Sequence, residues 1–192
     1  MTRARDRLRG STCYVAGISE DAALIRSLLV EIGVHVAEDD VDAAAVVAGP
    51  AGIDDLAEWN QRILARGQAF LPVFGFNGSY AQCGPFVVPG ESACFECFLT
   101  RAQANVGYER SVYLGLRELG AMPGYSPLQH SIAATAAQMI HKWLSVEDPE
   151  LPGLLVREQF HPWNRREHWV LRVPRCAACL PAASRGTSVG VR

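Results

Sequence analysis

The sequence has little net charge, a single lysine and no long hydrophobic run. Its 192 residues carry a formal net charge of −2, which gives no general basis for binding nucleic acid or an anionic membrane. The basic start is not followed by the apolar run of a secretory signal, and no later stretch is long and uncharged enough to span a bilayer. We therefore expect a cytoplasmic protein that binds neither nucleic acid nor membrane.

Cysteine is the most informative residue type. Four of the six cysteines form two Cys-x-x-Cys pairs, Cys94 with Cys97 and Cys176 with Cys179. In a reducing compartment such pairs bind metals or act as redox centres, and disulfides are rare. Two pairs together favour a tetrahedral Zn²⁺ site of four thiolates, which is structural because no coordination position stays open. A thioredoxin-type redox motif is the alternative for either pair alone.

The two remaining cysteines carry no such signal. Cys13 lies inside an apolar run, which predicts a small buried core residue. Cys83 stands beside a glycine in a predicted turn, and we assign no role to it.

Strand-like and helix-like segments alternate along the first half of the chain. Apolar runs predict strands over 11–18, 34–37, 43–48 and 69–74, and helical spacing predicts helices over 21–32 and 53–66. This alternation is typical of an open, mainly parallel Rossmann-like sheet with flanking helices.

The second half differs in pattern. We predict a short strand within 84–90, an irregular crossover over 106–125, a helix from Ser126 to Leu144, and an antiparallel hairpin of strands 154–160 and 167–173. The hairpin leads into the second cysteine pair. We expect one α/β domain over 11–181, between a flexible basic tail at 1–10 and a flexible tail at 182–192.

The order of these elements, with Gly-Pro-Phe-Val-Val-Pro-Gly at 84–90 before the first cysteine pair, resembles the ThiF/MoeB superfamily of ubiquitin-activating-type proteins. The same segment, Pro174-Arg175 before Cys176 and the late helix resemble more closely the ThiF-like partner proteins of cyclodehydratases. Those proteins work in the biosynthesis of thiazole- and oxazole-modified ribosomal peptides, including bacteriocin-like products and thiopeptides. The resemblance extends over residues 11–180.

The sequence departs from the adenylating members of that superfamily. Such enzymes need a glycine-rich phosphate cradle, cations on the phosphates and acidic metal ligands. Here residues 17–22 read Gly-Ile-Ser-Glu-Asp-Ala, so only the first glycine remains and two carboxylates occupy the phosphate position. The only lysine, Lys142, lies far along the late helix, and Ala-Gly-Pro at 48–50 replaces the acidic segment. No cysteine lies between Cys97 and Cys176 to form a thioester. We expect no ATP binding and no catalytic residue.

The resemblance implies a non-catalytic scaffold subunit that supports a YcaO-type enzyme. In that family the enzyme uses ATP to cyclise Cys, Ser or Thr side chains of a precursor peptide into azolines. Only about ten residues precede the first predicted strand, too few for the leader-recognition domain of relatives, so we expect a separate leader-binding protein to present the precursor. A homodimer is also compatible with the sequence. Two alternatives stay open: a ThiF-type adenylating enzyme and a zinc-stabilised Rossmann-like ligand-binding module.

Two further groups of side chains have competing interpretations. Phe160, Trp163 and Trp169 on the hairpin form either a partner-binding patch or part of the core. His130 and His141 lie eleven residues apart on the late helix, and we interpret them as packed or surface residues, with a shared site as the alternative.

Overall fold

The computed structural model describes residues 2–17, 19–41, 43–49, 53–76, 78–105 and 126–179. These residues form helices and strands that we number separately along the chain. The helices are α1 (Thr2–Gly10), α2 (Glu20–Glu31), α3 (Ile53–Arg66), α4 (Phe95–Asn105) and α5 (Ser126–Val146). The strands are β1 (Thr12–Ala16), β2 (His35–Val36), β3 (Ala45–Ala48), β4 (Ala69–Phe74), β5 (Tyr80–Cys83), β6 (Leu154–Gln159) and β7 (Asn164–Trp169).

The strands form one seven-stranded sheet in the order β2-β1-β3-β4-β5-β6-β7. The first four strands are parallel, and β4 to β7 pair in an antiparallel way. The predicted fold class is confirmed: a Rossmann-like parallel sheet with flanking helices continues into a C-terminal antiparallel hairpin. The strand order switches at β1, since β2 pairs on one side of it and β3 on the other, and open α/β sheets usually bind ligands at such a switch point.

Helices cover both faces of the parallel strands. All residues of β3 and β4 are buried, as expected for strands with a helix layer on each side. Alternate residues point to opposite faces, so Val47 packs with α2 and α5 while Val46 packs with α3 and α4. The cysteine pairs belong to the second of these cores, around Phe70 and Phe95.

Most predicted elements are confirmed, and α3 and β4 have the predicted bounds. The hairpin is also confirmed, but its second strand begins at Asn164, directly after the turn, whereas we predicted 167–173. The apolar run at 170–173 suggested the later strand; only Val170 continues the pairing, through a 2.9 Å bond to Gly153 O. Segment 84–90 forms a single antiparallel bridge, between Val87 and Phe70, and no regular strand.

Three elements were not predicted. Strand β5 follows a turn-rich segment, and helix α4 begins within the first cysteine pair. The apolar pattern in each is too short to indicate a strand or a helix. Residues 2–10, expected to be a flexible tail, form α1, in which Leu8 packs against the core and Arg7 forms an ion pair with Glu147, the residue directly after α5. The predicted crossover at 106–125 and the tail at 182–192 lie outside the described residues, and the domain bounds stay a prediction.

No helix within the described ranges is long and apolar enough to cross a membrane.

The segment that leads to the first cysteine pair depends on Gly84. Its φ is +101°, and a Cβ there would lie 2.5 Å from Leu154 O and 2.8 Å from Leu155 Cα. Both atoms belong to the backbone of β6 and cannot move aside cheaply. Glycine therefore allows the chain after β5 to run directly against β6.

We predict that Gly84→Ala lowers the free energy of unfolding by about 3 kcal/mol, because it adds a steric clash to an unfavourable φ. Urea denaturation measures the change. Gly10→Ala is the control, since a Cβ at Gly10 meets nothing within 4 Å and its substitution should change stability by less than about 0.5 kcal/mol. Equal stability of the two variants would contradict the prediction.

Candidate metal centre

The loop before α4 fixes the first cysteine pair. The hydroxyl of Ser92 accepts from the N–H of Val88 at 2.7 Å and donates to Phe86 O at 3.2 Å, which folds the loop onto itself. The N–H of Phe95, at the start of α4, donates to the buried Asn60 Oδ1 on α3 at 2.9 Å. A side-chain oxygen at this place satisfies a free N–H of the first helical turn. Cys94 and Cys97 are thereby held at the N-terminus of α4.

The second pair follows a tight turn after the hairpin. Arg175 has a φ of +60°, and the N–H of Cys176 donates to Val173 O at 3.2 Å. The N–H of Val173 also points at the first pair, 3.4 Å from Cys97 Sγ. The turn therefore brings Cys176 and Cys179 against the start of α4.

The four sulfur atoms lie at the distances that a tetrahedral metal site requires. Cys94 Sγ is 3.7 Å from both Cys97 Sγ and Cys176 Sγ, and Cys97 Sγ is 3.6 Å from Cys179 Sγ. All four lie within 4.8 Å of one another. Four Zn–S bonds of about 2.3 Å in a tetrahedron would place the sulfurs about 3.8 Å apart. A disulfide is only about 2.05 Å long, so the cysteines are free thiols.

The electrostatic environment of the sulfurs is uneven. Burial raises the pKa of the Cys94 thiol, although the Cys97 N–H donates to its sulfur, and burial raises the pKa of Cys179 to about 11. At Cys176 burial also raises the pKa, but N–H donors from Ala178 and Cys179 outweigh it and the net pKa is lowered. A divalent cation would stabilise all four thiolates together and displace their protons.

The structure thus brings the four predicted ligands together in one cluster. This arrangement fits a single metal site better than two separate redox-active pairs. Four sulfurs at tetrahedral spacing fit a thiophilic ion such as Zn²⁺ and leave no position for water or substrate. Among the described residues this is the one group of His, Cys, Asp and Glu side chains placed to hold an ion.

Two arginines tie the same two segments together independently of the thiols. Arg101, four residues after Cys97 on α4, donates to Leu171 O at 2.5 Å and to Arg172 O at 2.8 Å. Arg172 donates in the opposite direction, to Ser92 O at 3.0 Å. We call this pair the arginine clamp. Sequence patterns gave no sign of it, because it depends on backbone carbonyls that only the fold brings near.

A second candidate region is the cleft at the carboxyl ends of β1 and β3, where the superfamily resemblance would place a nucleotide. The cleft has a volume of about 190 Å³ and is lined by Gly17, Gly49, Asp55, Glu58 and Trp59, with alanines at the strand ends. Its two charged side chains are acidic and exposed. They would repel phosphate oxygens.

The start of α2 is also unsuited to phosphate. Ser19 is the N-cap and accepts from Ala22 N at 3.2 Å, and Glu20 and Asp21 fill the first turn. Burial and the neighbouring Glu20 raise the pKa of Asp21. The nearby cation, Arg26, donates to the carbonyls of Val15, at 2.7 Å, and of Gly17. This geometry agrees with the prediction that a capped helix start with two acidic residues stands where adenylating relatives have a phosphate-binding loop.

The remaining cysteines and aromatics can now be placed. Cys13 and Cys83 are fully buried, and burial raises the pKa of each to about 12, so neither is a reactive thiol. Trp163, Trp169 and Phe160 are 82%, 56% and 45% exposed, which rules out core packing for the hairpin aromatics.

We predict that the purified chain binds about one divalent metal ion and that Cys94→Ser loses most of it, because a hydroxyl is a poor fourth ligand. Elemental analysis measures the metal, and cobalt substitution gives the absorption of a tetrahedral thiolate site. Cys13→Ala is the control and should keep its metal. A well-folded, metal-free wild-type protein after chelation would contradict a bracing role.

We further predict that Arg101→Ala lowers the free energy of unfolding by about 1 kcal/mol, since the exposed carbonyls of Leu171 and Arg172 exchange a charged donor for water. The loss should be larger after chelation, when the metal no longer joins the segments. Denaturation with and without metal measures both values. An equal loss for the exposed Arg9→Ala would show that the clamp is unimportant.

Comparison with known proteins shows similarity in structure and little in sequence. No protein-family model matches the chain, and no curated protein matches its sequence. The heterocyclase TruD superposes with a TM-score of 0.74 and 26% identity, over 93% of this chain and 28% of that protein. A heterocyclase solved in complex with substrate and cofactor gives 0.75 and 24%, over 93% and 26%. MccB of E. coli, solved with ATP, gives 0.67 and 14%, over 93% and 69%. The chain thus spans little more than a quarter of the heterocyclases, and it shares the fold of that part and of MccB.

Proposed function

We propose that the chain is a non-catalytic, ThiF-like scaffold subunit of an azoline-forming cyclodehydratase complex in the biosynthesis of a bacteriocin- or thiopeptide-type ribosomal peptide. The observation that carries the proposal is the match to a heterocyclase over 93% of the chain at 26% identity. That match is closer than the one to MccB, at 14% identity. It favours the resemblance to the cyclodehydratase partner proteins over the resemblance to the adenylating enzymes.

We assign the other steps of the reaction to partner proteins. The chain corresponds to 28% of the heterocyclase. In our proposal a separate YcaO-type enzyme supplies the ATP-dependent chemistry, and a separate leader-binding protein delivers the precursor peptide. The chain holds these components together in the cytoplasm.

Zn²⁺ is the ion that we assign to the four cysteines. Its role is to brace the fold, because the sulfur spacing closes the coordination sphere. The chain's own residues position those sulfurs through the Phe95–Asn60 bond, the Val173 N–H and the arginine clamp. No part of the proposed function passes through the metal.

Adenylation is the second candidate, since MccB was solved with ATP and shares the fold. The acidic cleft argues against it: Asp55 and Glu58 line the nucleotide position, Glu20 and Asp21 begin α2, and Arg26 is engaged with backbone carbonyls. The third candidate is a ligand-binding module, which a cleft of about 190 Å³ allows.

Reconstitution tests the proposal. We expect that adding the chain to a YcaO-type enzyme, ATP and a precursor peptide raises the rate of ring formation at least about tenfold, measured as loss of one water per ring by mass spectrometry. The chain alone should show no ATP–pyrophosphate exchange. The doubly neutralised Glu20→Gln, Asp21→Asn variant should support the enzyme as well as wild type, because these acids stabilise a helix and contact no substrate.

The outcomes separate the candidates. Pyrophosphate exchange by the chain alone would establish adenylation and overturn the scaffold proposal. Saturable ATP binding without exchange would favour a ligand-binding module. No effect on a YcaO-type enzyme encoded beside the chain would also overturn the proposal.

A further inference from the structure

The two cysteine pairs are anchored to the rest of the protein in different ways. Cys94 and Cys97 are fully buried. The hydroxyl of Ser92 closes the loop before them by bonding to two backbone groups, and the Phe95 N–H donates to Asn60 Oδ1 at 2.9 Å. None of these bonds involves a sulfur atom. The position of the first pair is therefore set by contacts that do not depend on a metal.

The second pair lies on residues 173–179, which we call the exit segment. The arginine clamp ends at Arg172, directly before it. The Cys176 N–H donates to Val173 O at 3.2 Å, but that bond only closes the segment's own turn. Among the described residues, every hydrogen bond between the exit segment and the rest of the protein includes a cysteine sulfur. They include the bonds of Val173 N to Cys97 Sγ, of Cys176 Sγ to Cys94 Sγ and of Cys179 Sγ to Cys97 Sγ.

Apolar contacts hold the exit segment only in part. Val173 and Ala178 are half-buried against the core that α3 and α4 cover, whereas Pro174, Arg175 and Ala177 are exposed. Within the segment only its first cysteine is buried. Hydrophobic stabilisation grows with the apolar area removed from water, so it contributes little here. The sulfur atoms therefore provide most of the attachment.

The backbone of the exit segment is strained at Arg175. Its φ of +60° lies in the left-handed region, where the Cβ of an L-residue crowds the following carbonyl oxygen. Glycine and asparagine adopt this conformation far more readily than arginine does. Such strain persists only where the surroundings hold the chain in place. Here the sulfurs of Cys176 and Cys179, which follow the strained residue, hold it against α4.

We propose that the first cysteine pair is a preformed half-site and that the second pair is a hinged half-site, which swings away at Arg175 when the metal ion leaves. This hinge presupposes the ion that we assign to the four cysteines and so rests on that assignment. Without the ion, the strained turn relaxes and the exit segment opens first. The arginine clamp keeps the residues before the segment beside α4, which confines the movement to 173–179. The loss of stability that we expect on chelation then follows this opening.

Hydrogen exchange tests the order of opening. The N–H groups of Val173, Ala178 and Cys179 all donate to sulfur, so their protection reports on the closed cluster. After an excess of chelator is added, residues 173–179 should lose protection at least about tenfold sooner than residues 92–98, because only the exit segment is attached through sulfur. Mass spectrometry follows both segments, and metal release is measured in the same samples.

The outcomes distinguish the hinge from the metal assignment. Loss of protection in both segments at the same time would overturn the hinge and leave the assignment standing. Metal release with no change in residues 173–179 would do the same. A chain that binds no metal would overturn both.

Substitutions at Arg175 test the hinge residue. Arg175→Val and Arg175→Asn remove the same charge at an exposed position, but a β-branched residue fits the left-handed region poorly and asparagine fits it well. We expect Arg175→Val to bind Zn²⁺ at least about fivefold more weakly than Arg175→Asn, measured by competition with a chromophoric chelator. Arg175→Gly should bind at least as tightly as Arg175→Asn. Arg166→Val and Arg166→Asn, at an exposed position of β7, are the matched controls and should bind equally. Equal affinities of the Val and Asn variants at position 175 would overturn the proposal.

Discussion

The convergence of four thiols is the constraint on which the rest of the structure depends. Cys94 and Cys176 are separated by 82 positions in sequence, yet their sulfurs lie 3.7 Å apart. To bring them together, the chain must complete α5 and the hairpin and return to the start of α4. The sheet extends into its antiparallel half along the same path, so the cysteine cluster and the continuation of the sheet beyond β4 are parts of one arrangement.

Much of this arrangement could be predicted from sequence because its signals are local and periodic. The fully apolar strand at 69–74 and the helix over 53–66 have the predicted bounds, and the Cys-x-x-Cys spacing singled out the four cysteines that the fold brings together. The clamp of Arg101 and Arg172 could not be predicted, because its acceptors are backbone carbonyls that carry no sequence signature. The same is true of α1, whose basic composition suggested a tail and whose contacts with α5 are tertiary.

The position of a ligand site in the fold and its chemistry are separate properties here. The strand order still creates a cleft where the connections after β1 and β3 leave the sheet towards opposite faces, since that follows from connectivity alone. Its lining, with Asp55 and Glu58 and the capped start of α2, no longer suits phosphate. The shared fold therefore provides a cleft at the usual position in an α/β sheet, whereas the group of side chains best placed to hold an ion, among the described residues, is the cysteine cluster.

The wide sequence separation of the cysteine pairs has a consequence for synthesis of the chain. As the polypeptide leaves the ribosome, β1 to β4 and α4 emerge first, with Cys94 and Cys97 already exposed to metals and oxidants. Their partners follow only after α5 and both strands of the hairpin. During that interval two thiols alone hold a metal weakly, so the nascent protein passes through a stage that is more open to thiol chemistry than the finished fold.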